Sequence, residues 1–433
     1  MIRKILVVFL LCSTVIVTAQ RTSSSPYSFF GVGDEFSTTT VEQSSMGGIG
    51  VAFSHYKYLN FTNPAAIAEL RYTTFGLGML NNDLTVKTST VEQQSTSTSL
   101  SYVTLAFPIG SKAGFSVGIQ PVSSVGYSLL NTLTDDDGEI TEISLFSGNG
   151  GINRIYGSLG IQVFKGFSLG IEADFNFGNI ENSILNRRDG VVLATKYDEV
   201  LTVRGNTIKL GAQYKVQLKN KTNFNAGATV KVGNDLNVSG RDYLYSTVFS
   251  TTEFDIPKDT LSTSAISGAY NLPVKTTLGI GFGKFDKWYA GLEYENQDAI
   301  TTTNLLGATN SSAYKYGASN RFSIGGFYIP KINSISSYWS RVTYRAGLRF
   351  EDTGLLVDGT GNTTNFTAIK DFGMSFGLGL PLKQLSTLNM GFEFGKRGSI
   401  ENNLIQENYF NFRLSLSLSA FGQLRWFQKR KID

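Results

Sequence analysis

With one histidine and one cysteine in 433 residues, the chain has almost no material for nucleophilic or metal chemistry. A hydrolytic triad needs a base, and the sole candidate, His55, has no acidic or serine neighbourhood that marks a site; it reads as a hydrogen-bonding side chain. One histidine and one cysteine cannot assemble a zinc site. No phosphate-cradling G-x-x-x-x-G-K-[ST] loop is present. The acidic run from Asp135 to Glu139 offers oxygen ligands to calcium, but it lacks the twelve-position alternation of an EF-hand, so a solvated loop tip is the simpler reading. The expectation is a protein that is not an enzyme and carries no metal or cofactor.

Other scarcities narrow the class further. Charged residues make up 17% of the chain against a usual ~25%, and proline occurs only 8 times. A net charge of +4 is too small to argue for a nucleic-acid partner. Beyond the first segment no run approaches the ~20 apolar residues of a membrane helix. A membrane-spanning form of this chain must therefore be a closed barrel, because only helices and barrels pair every backbone polar group in lipid.

What is abundant fits that form: Gly 46, Phe 31 and Tyr 20. The N-terminus is an export signal, with Arg3 and Lys4, an apolar stretch from Ile5 to Val17, and a small-residue cleavage site at Ala19. Leu11 before Cys12 argues against a lipoprotein signal, and cleavage before Gln20 removes the cysteine, leaving no disulfide. Residues 20–70 are glycine-rich, with Gly47, Gly48 and Gly50 followed by Asn63, Pro64 and Ala65. Asn63 can cap a short helix that has Pro64 at its first position. This segment reads either as a compact plug around which the remaining strands wrap, or as an ordinary N-terminal loop and helix.

From residue 71 strict alternation keeps returning. Leu169, Ile171, Phe175 and Phe177 alternate with Ser168, Glu172, Asp174 and Asn176; Leu414, Leu416 and Leu418 alternate with Arg413, Ser415 and Ser417. Period two puts each set on one face of a strand. Fourteen strands are expected at 71–80, 99–108, 112–121, 153–164, 166–178, 203–217, 222–233, 274–283, 287–296, 319–329, 338–350, 371–380, 386–395 and 408–420. Their length, roughly 9–12 residues, suits a tilted membrane strand better than the ~6 of a soluble sandwich. Short connections alternate with long polar ones such as 81–98, 122–152, 179–202 and 234–273, the pattern of periplasmic turns and extracellular loops. The fold class is an all-β, 14-stranded antiparallel transmembrane β-barrel with an N-terminal hatch in its lumen. Residues 1–19 are the signal, 20–70 the hatch, 71–420 the barrel and 421–433 a basic periplasmic tail. An exported barrel is expected in the bacterial outer membrane, and the even strand count puts both termini in the periplasm.

The inward parity carries charge of both signs: Glu172, Asp174, Lys209, Lys215, Lys231, Glu293, Glu295, Arg341, Arg345, Arg349, Glu393 and Arg413. These read as a salt-bridged network holding hatch to wall, or as a conduit that orients an amphipathic head group. In the third strand, Gly118 to Pro121 marks either a kink that opens the wall sideways or a simple strand end, since proline cannot donate to a sheet ladder.

The sequence MGGIGVAF followed by NPAAIAEL resembles the hatch of the FadL/OmpP1/TodX family of outer-membrane transport proteins. The matching positions are Gly48, Gly50 and Ala52, then Asn63, Pro64 and Ala65. The stretch SPYSFFGVGD looks like the start of a Bacteroidota branch of such barrels. The resemblance implies a hatch-plugged channel for passive uptake of hydrophobic or amphipathic small molecules, opening sideways at a kinked third strand. Its partners would be outer-membrane lipid and a hydrophobic small-molecule substrate. The alternative that the resemblance carries is a non-transporting barrel subunit of a Bacteroidota secretion or assembly complex, with other outer-membrane or periplasmic proteins as partners.

Overall fold

In the computed structural model, residues 23–233, 235–248, 256–303, 313–360, 363–382 and 386–419 are described. The expected signal segment 1–19 and the tail 421–433 lie outside them. Among the described residues nineteen strands form one continuous sheet. Those of the wall are β2 (Thr74–Lys87), β3 (Glu92–Ile109), β4 (Ala113–Thr134), β5 (Ile140–Phe164), β6 (Phe167–Arg188), β7 (Leu193–Gln217) and β8 (Thr222–Val232). The wall continues with β11 (Lys275–Lys284), β12 (Trp288–Gln297), β15 (Ser319–Tyr328), β16 (Thr343–Val357), β17 (Thr367–Pro381), β18 (Thr387–Gly398) and β19 (Gln406–Ser419). These are the fourteen expected strands. All pairs are antiparallel, and the barrel closes where β19 meets β2, from Ser419 opposite Thr74 to Gln406 opposite Lys87.

The remaining strands add height. The β9 (Asp235–Val248) and β10 (Ile256–Asn271) hairpin continues β8 and β11 upward, with β9 pairing the upper half of β7. The short β13 (Thr301–Thr303) and β14 (Tyr314–Tyr316) lie between β12 and β15. The two-residue β1 (Asp34–Glu35) belongs to the N-terminal segment and pairs with β4.

The two faces of the wall are inverted relative to a soluble protein. Along β6, Leu169, Ile171 and Phe175 are 42 to 46% exposed, whereas the intervening Glu172 and Asp174 are 1% and 3% exposed. Apolar side chains therefore face outward and polar ones inward, the arrangement that a bilayer selects. Cross-strand aromatic pairs mark both edges of the apolar band: Phe107–Phe115, Phe164–Phe167 and Phe224–Phe282 near the tight turns, and Phe350–Phe372 and Phe394–Phe410 towards the other end. Among the described residues no helix is long and apolar enough to cross a membrane; the strands do so.

The long connections expected at 122–152, 179–202 and 234–273 are largely sheet. Strands β4 to β7 run 22 to 25 residues, so this side of the wall stands well beyond the ~9–11 residues a bilayer needs. The alternation does not stop there; it changes sense. In β6 the apolar residues face outward up to Phe177, after which Ile180 turns inward and Asn179 and Glu181 face out. Above the bilayer the outside is water, so the greasy side chains gather inside. Val125, Tyr127, Ile152, Ile180, Leu201, Val203, Leu236, Val238, Ile266 and Tyr270 form that upper core.

Candidate functional site

The bore of the barrel is filled by residues 23–70 in two layers. The lower layer, near the tight turns, carries the glycine motif and the Asn-Pro-Ala step. Thr40 caps a one-turn helix, Val41–Ser44, in a reciprocal box with Gln43, and Asn63 caps the 3₁₀ turn Pro64–Glu69 by accepting from Ala65 N at 3.0 Å. Proline at the first helical position loses no hydrogen bond, so the turn starts sharply. Gly47 and Gly48 have φ of +71° and +85°, the left-handed region in which a side chain is strained.

The wall offers this layer a seat made of glycines. A Cβ on Gly170 would meet Ala65 N at 2.3 Å, one on Gly227 Val51 O at 2.1 Å, and one on Gly347 Gly47 N at 2.2 Å. Hatch backbone thus lies directly on wall backbone, and each inward glycine is there because nothing larger fits.

Polar anchors then fix it. The Glu293 carboxylate accepts from both Gly50 N and Val51 N at 2.8 Å. Ser375 Oγ accepts from Gly47 N at 2.9 Å, and Asn63 Nδ2 donates to Val51 O and to Ala212 O of the wall. Lys209 Nζ donates to Phe61 O at 2.7 Å, and Lys215 pairs with Glu69 at 2.7 Å. Arg345 is buried, donates to Asn389 Oδ1 and lies over the Tyr58 ring. At the tight-turn end His55 is buried between Tyr56, Tyr58 and Phe285, with Nε2 3.1 Å from Asp286 Oδ1. Burial pushes the imidazole down to about 4 against the pull of Asp286, so at neutral pH it is an uncharged donor to that carboxylate. The Tyr56 hydroxyl is pushed up to about 12 by burial.

Above this layer lies a cavity of about 370 Å³ lined by charged groups. Arg154 is 2% exposed and bridges Glu172 and Asp174 at 3.0 Å each while holding Gln120 Oε1. Lys209 shares Glu172 at 2.7 Å. Arg321 holds Glu295 at 3.1 Å and Glu293 at 3.6 Å. Arg349 gathers Glu351, Asp371 and Glu393, and Arg413 joins Glu393. Lys231 lines the cavity without a salt bridge among the described residues.

The second layer closes the top. Tyr27 and Phe30 pack with Tyr314, Leu355, Ile369 and Leu404 on one side, and Val32 packs against the upper core on the other. Arg397 ties this layer to the wall: it binds Asp34 at 2.5 Å, Glu407 at 2.7 Å and Ser25 Oγ at 2.9 Å.

Beside this layer the wall itself parts. β3 and β4 pair only from Ile109 opposite Ala113 to Val103 opposite Ile119. Beyond Gly118 and Ile119 they separate, and β4 shifts register against β5 between Pro121 and Ser123. The opening is backed from inside. Asp34 and Glu35 pair with Ser124 and Ser123, Phe36 N donates to Val122 O, and Ser28 Oγ accepts from Gly126 N.

Most inward charges of the sequence meet in this bore, but Arg341 does not. It sits in the exposed turn Trp339–Arg341 over the Tyr338 ring, because β16 starts only at Thr343 and the parity does not extend past the strand. Arg154, Arg321 and Arg397, on which the network centres, were missed. Arg154 and Arg321 had a signal, the inward parity of the strands expected at 153–164 and 319–329; Arg397 lay beyond the strand expected at 386–395. Asp135 Oδ1 accepts from Asp137 N and Glu139 N, so that carboxylate closes its own hairpin turn. The wall ends, Thr74 and Ser419, lie together at the tight-turn end. The first described residue, Ser23, instead lies against Gly126 in the upper half, because the hatch enters the bore from above its lower layer.

Comparison with solved structures places this architecture. The Pseudomonas putida toluene transporter TodX is similar over 88% of this chain and 97% of its own, with a TM-score of 0.59 at 15% identity. The Ralstonia pickettii toluene transporter TbuX covers the same shares with a TM-score of 0.58 at 14% identity. A Pseudomonas aeruginosa FadL homologue gives 0.54 at 13%, again over 88% and 97%. At such identities the likeness is one of fold. No curated protein matches the chain. The family described as BamG matches residues 1–433. On that full-length match, the chain belongs to the BamG family.

Proposed function

We propose that this protein is a stoppered, non-conducting outer-membrane barrel that works as a subunit of an outer-membrane assembly complex. One observation carries the reading: the bore is closed twice, and the space between the closures is ionic. A hydrophobic molecule would have to leave lipid, cross the cavity of Arg154, Arg321, Arg349 and their carboxylates, and displace backbone seated on glycine. Desolvating those charges against an apolar guest costs several kcal/mol with nothing to offset it. The sideways opening at Gly118 to Pro121 leads to the hatch strand and not to a passage. The family name, BamG, points to assembly as well. In this reading the tight turns and wall ends are periplasmic and the tall β4–β10 side stands outside the cell as a docking surface.

The fold it shares with toluene transporters favours a second reading, passive uptake of hydrophobic molecules, with the exit near Pro121. Two measurements separate them. Mild native isolation should yield a stoichiometric complex with other outer-membrane or periplasmic proteins, and reconstituted barrel should not move radiolabelled toluene or fatty acid into liposomes. A lone barrel carrying bound hydrocarbon, with saturable uptake, would replace the first reading by the second.

A further inference from the structure

The tight-turn end of the barrel carries charge of one sign. Each connection there that is described in full presents an exposed lysine: Lys112 between β3 and β4, Lys165 between β5 and β6, Lys221 between β7 and β8, Lys287 between β11 and β12, and Lys331 between β15 and β16. The hatch adds Lys57, whose Nζ lies 4.9 Å from the centre of the buried Tyr58 ring, and the exposed Arg71 follows at its end. Among the described residues the surface carboxylates at this end are Glu69 and Asp286, and both are engaged, with Lys215 and His55. The opposite end is mixed: Asp135, Asp189 and Asp259 stand among Arg188, Arg241 and Lys258.

One of these connections, residues 329–342, is long where the others are tight. Its neck closes where Lys331 N donates to Ser340 O at 2.7 Å. Ile332 packs inward against the cluster of Phe53, Tyr289 and Phe327. Ser334 is buried, and its Oγ accepts from Ser337 N at 3.2 Å. This frame holds Ile335 103% exposed and Trp339 63% exposed. An apolar side chain fixed in water on an ordered loop is a preformed anchor, because little freedom is left to lose when a partner covers it. The charge around it selects the partner: a cationic field attracts and orients an acidic surface. Lipid head groups reach the outer rim of the turns, but Lys57 belongs to the hatch, inside the ring of wall strands, where only a body beneath the bore meets it. An acidic folded domain would cover the turns, the hatch and Ile335 together.

We propose that the tight-turn face, with Ile335 on the 329–342 loop as its anchor and the turn lysines around it, is the docking surface for an acidic periplasmic domain of another protein. The proposal rests on the reading of the chain as a complex subunit with its tight turns in the periplasm, and it names the chemistry of the partner on that side.

The test is photocrosslinking in native membranes, with p-benzoylphenylalanine in place of Ile335 and, as control, in place of the lipid-facing Phe376. At Ile335 the expected adduct is a peptide of net negative charge from a periplasmic domain of another protein, in at least tenfold higher yield than at Phe376. Adducts to lipid only, to a second copy, to a cell-surface protein or to a segment without net negative charge overturn the proposal, as does equal yield at both sites. In parallel, K165E, K221E and K287E are combined, with the 329–342 loop left intact. That variant should fold, as judged by heat-modifiable gel migration, and lose the adduct at position 335 at least tenfold, whereas R241E at the opposite end should keep it. A smaller loss in the triple variant, or an equal loss in R241E, overturns the proposal. If the wild type brings down a stoichiometric partner while the crosslink fails, the site falls and the subunit reading stands. If nothing is brought down, both fall.

Discussion

Glu293 shows how much of the hatch depends on single wall side chains. Its carboxylate receives the Gly50 and Val51 amides, deep in the bore. Glu293→Ala leaves both N–H groups buried without an acceptor, at about 1–3 kcal/mol each, whereas Glu293→Gln keeps an acceptor oxygen. Hydrogen exchange of amides 47–53 should accelerate by one to two orders of magnitude in the alanine variant and less in the glutamine variant, with wall amides unchanged. His55 adds a pH dependence of definite sign. Docked, it stays neutral down to about 4; released into water it takes a proton near the ordinary 6.5. Between those values the released state binds the extra proton, so docking is fully supported above about pH 6.5 and weakens as pH falls towards 4. Exchange at residues 53–60, normalised to an unstructured peptide at each pH, should rise as pH falls from 7 to 4.5, and His55→Phe should flatten that rise.

Among elements, the glycine seat and the tall strands carry the argument. Gly347→Val would drive a side chain into Gly47 N and Met46 O, and Gly227→Val into Val51 O, so the hatch must lift from the wall. Overpacking of this kind costs about 1–3 kcal/mol or more. Gly157→Val is the control, since a Cβ there meets only the Phe115 ring at 3.9 Å. Protease should cut within residues 41–70 in the first two variants and spare the control. These glycines were legible in the sequence as small inward residues; what they make room for was not, because a contact between Gly227 and Val51 joins positions far apart in the chain. The fourteen wall strands were legible for a physical reason: lipid on one side and a wet bore on the other force one phase of alternation across the bilayer. Where water replaces lipid, at Phe177 to Ile180 in β6, the phase flips, and the upper halves of β4 to β7 and the β9–β10 hairpin read as loops. Arg341 failed from the opposite error, extending a phase beyond the strand that enforces it.

For the whole molecule, the question is whether anything passes. The two closures are independent: the lower layer is held by the glycine seat and Glu293, the upper by Arg397 and the apolar packing of Tyr27 and Phe30. Opening one leaves the other, so no single-site hatch variant should conduct. Removing residues 31–70 deletes the lower layer and the part of the upper one that includes Asp34, and it exposes a bore lined by Arg154, Arg349 and Arg413 with their carboxylates. In planar bilayers the intact protein should be silent, Glu293→Ala and Arg397→Ala should each remain silent, and the deletion should give steady ionic current. Current from intact protein would mean that the charged bore is a working conduit; silence from a deletion that still shows heat-modifiable migration would mean that something other than the hatch seals this barrel.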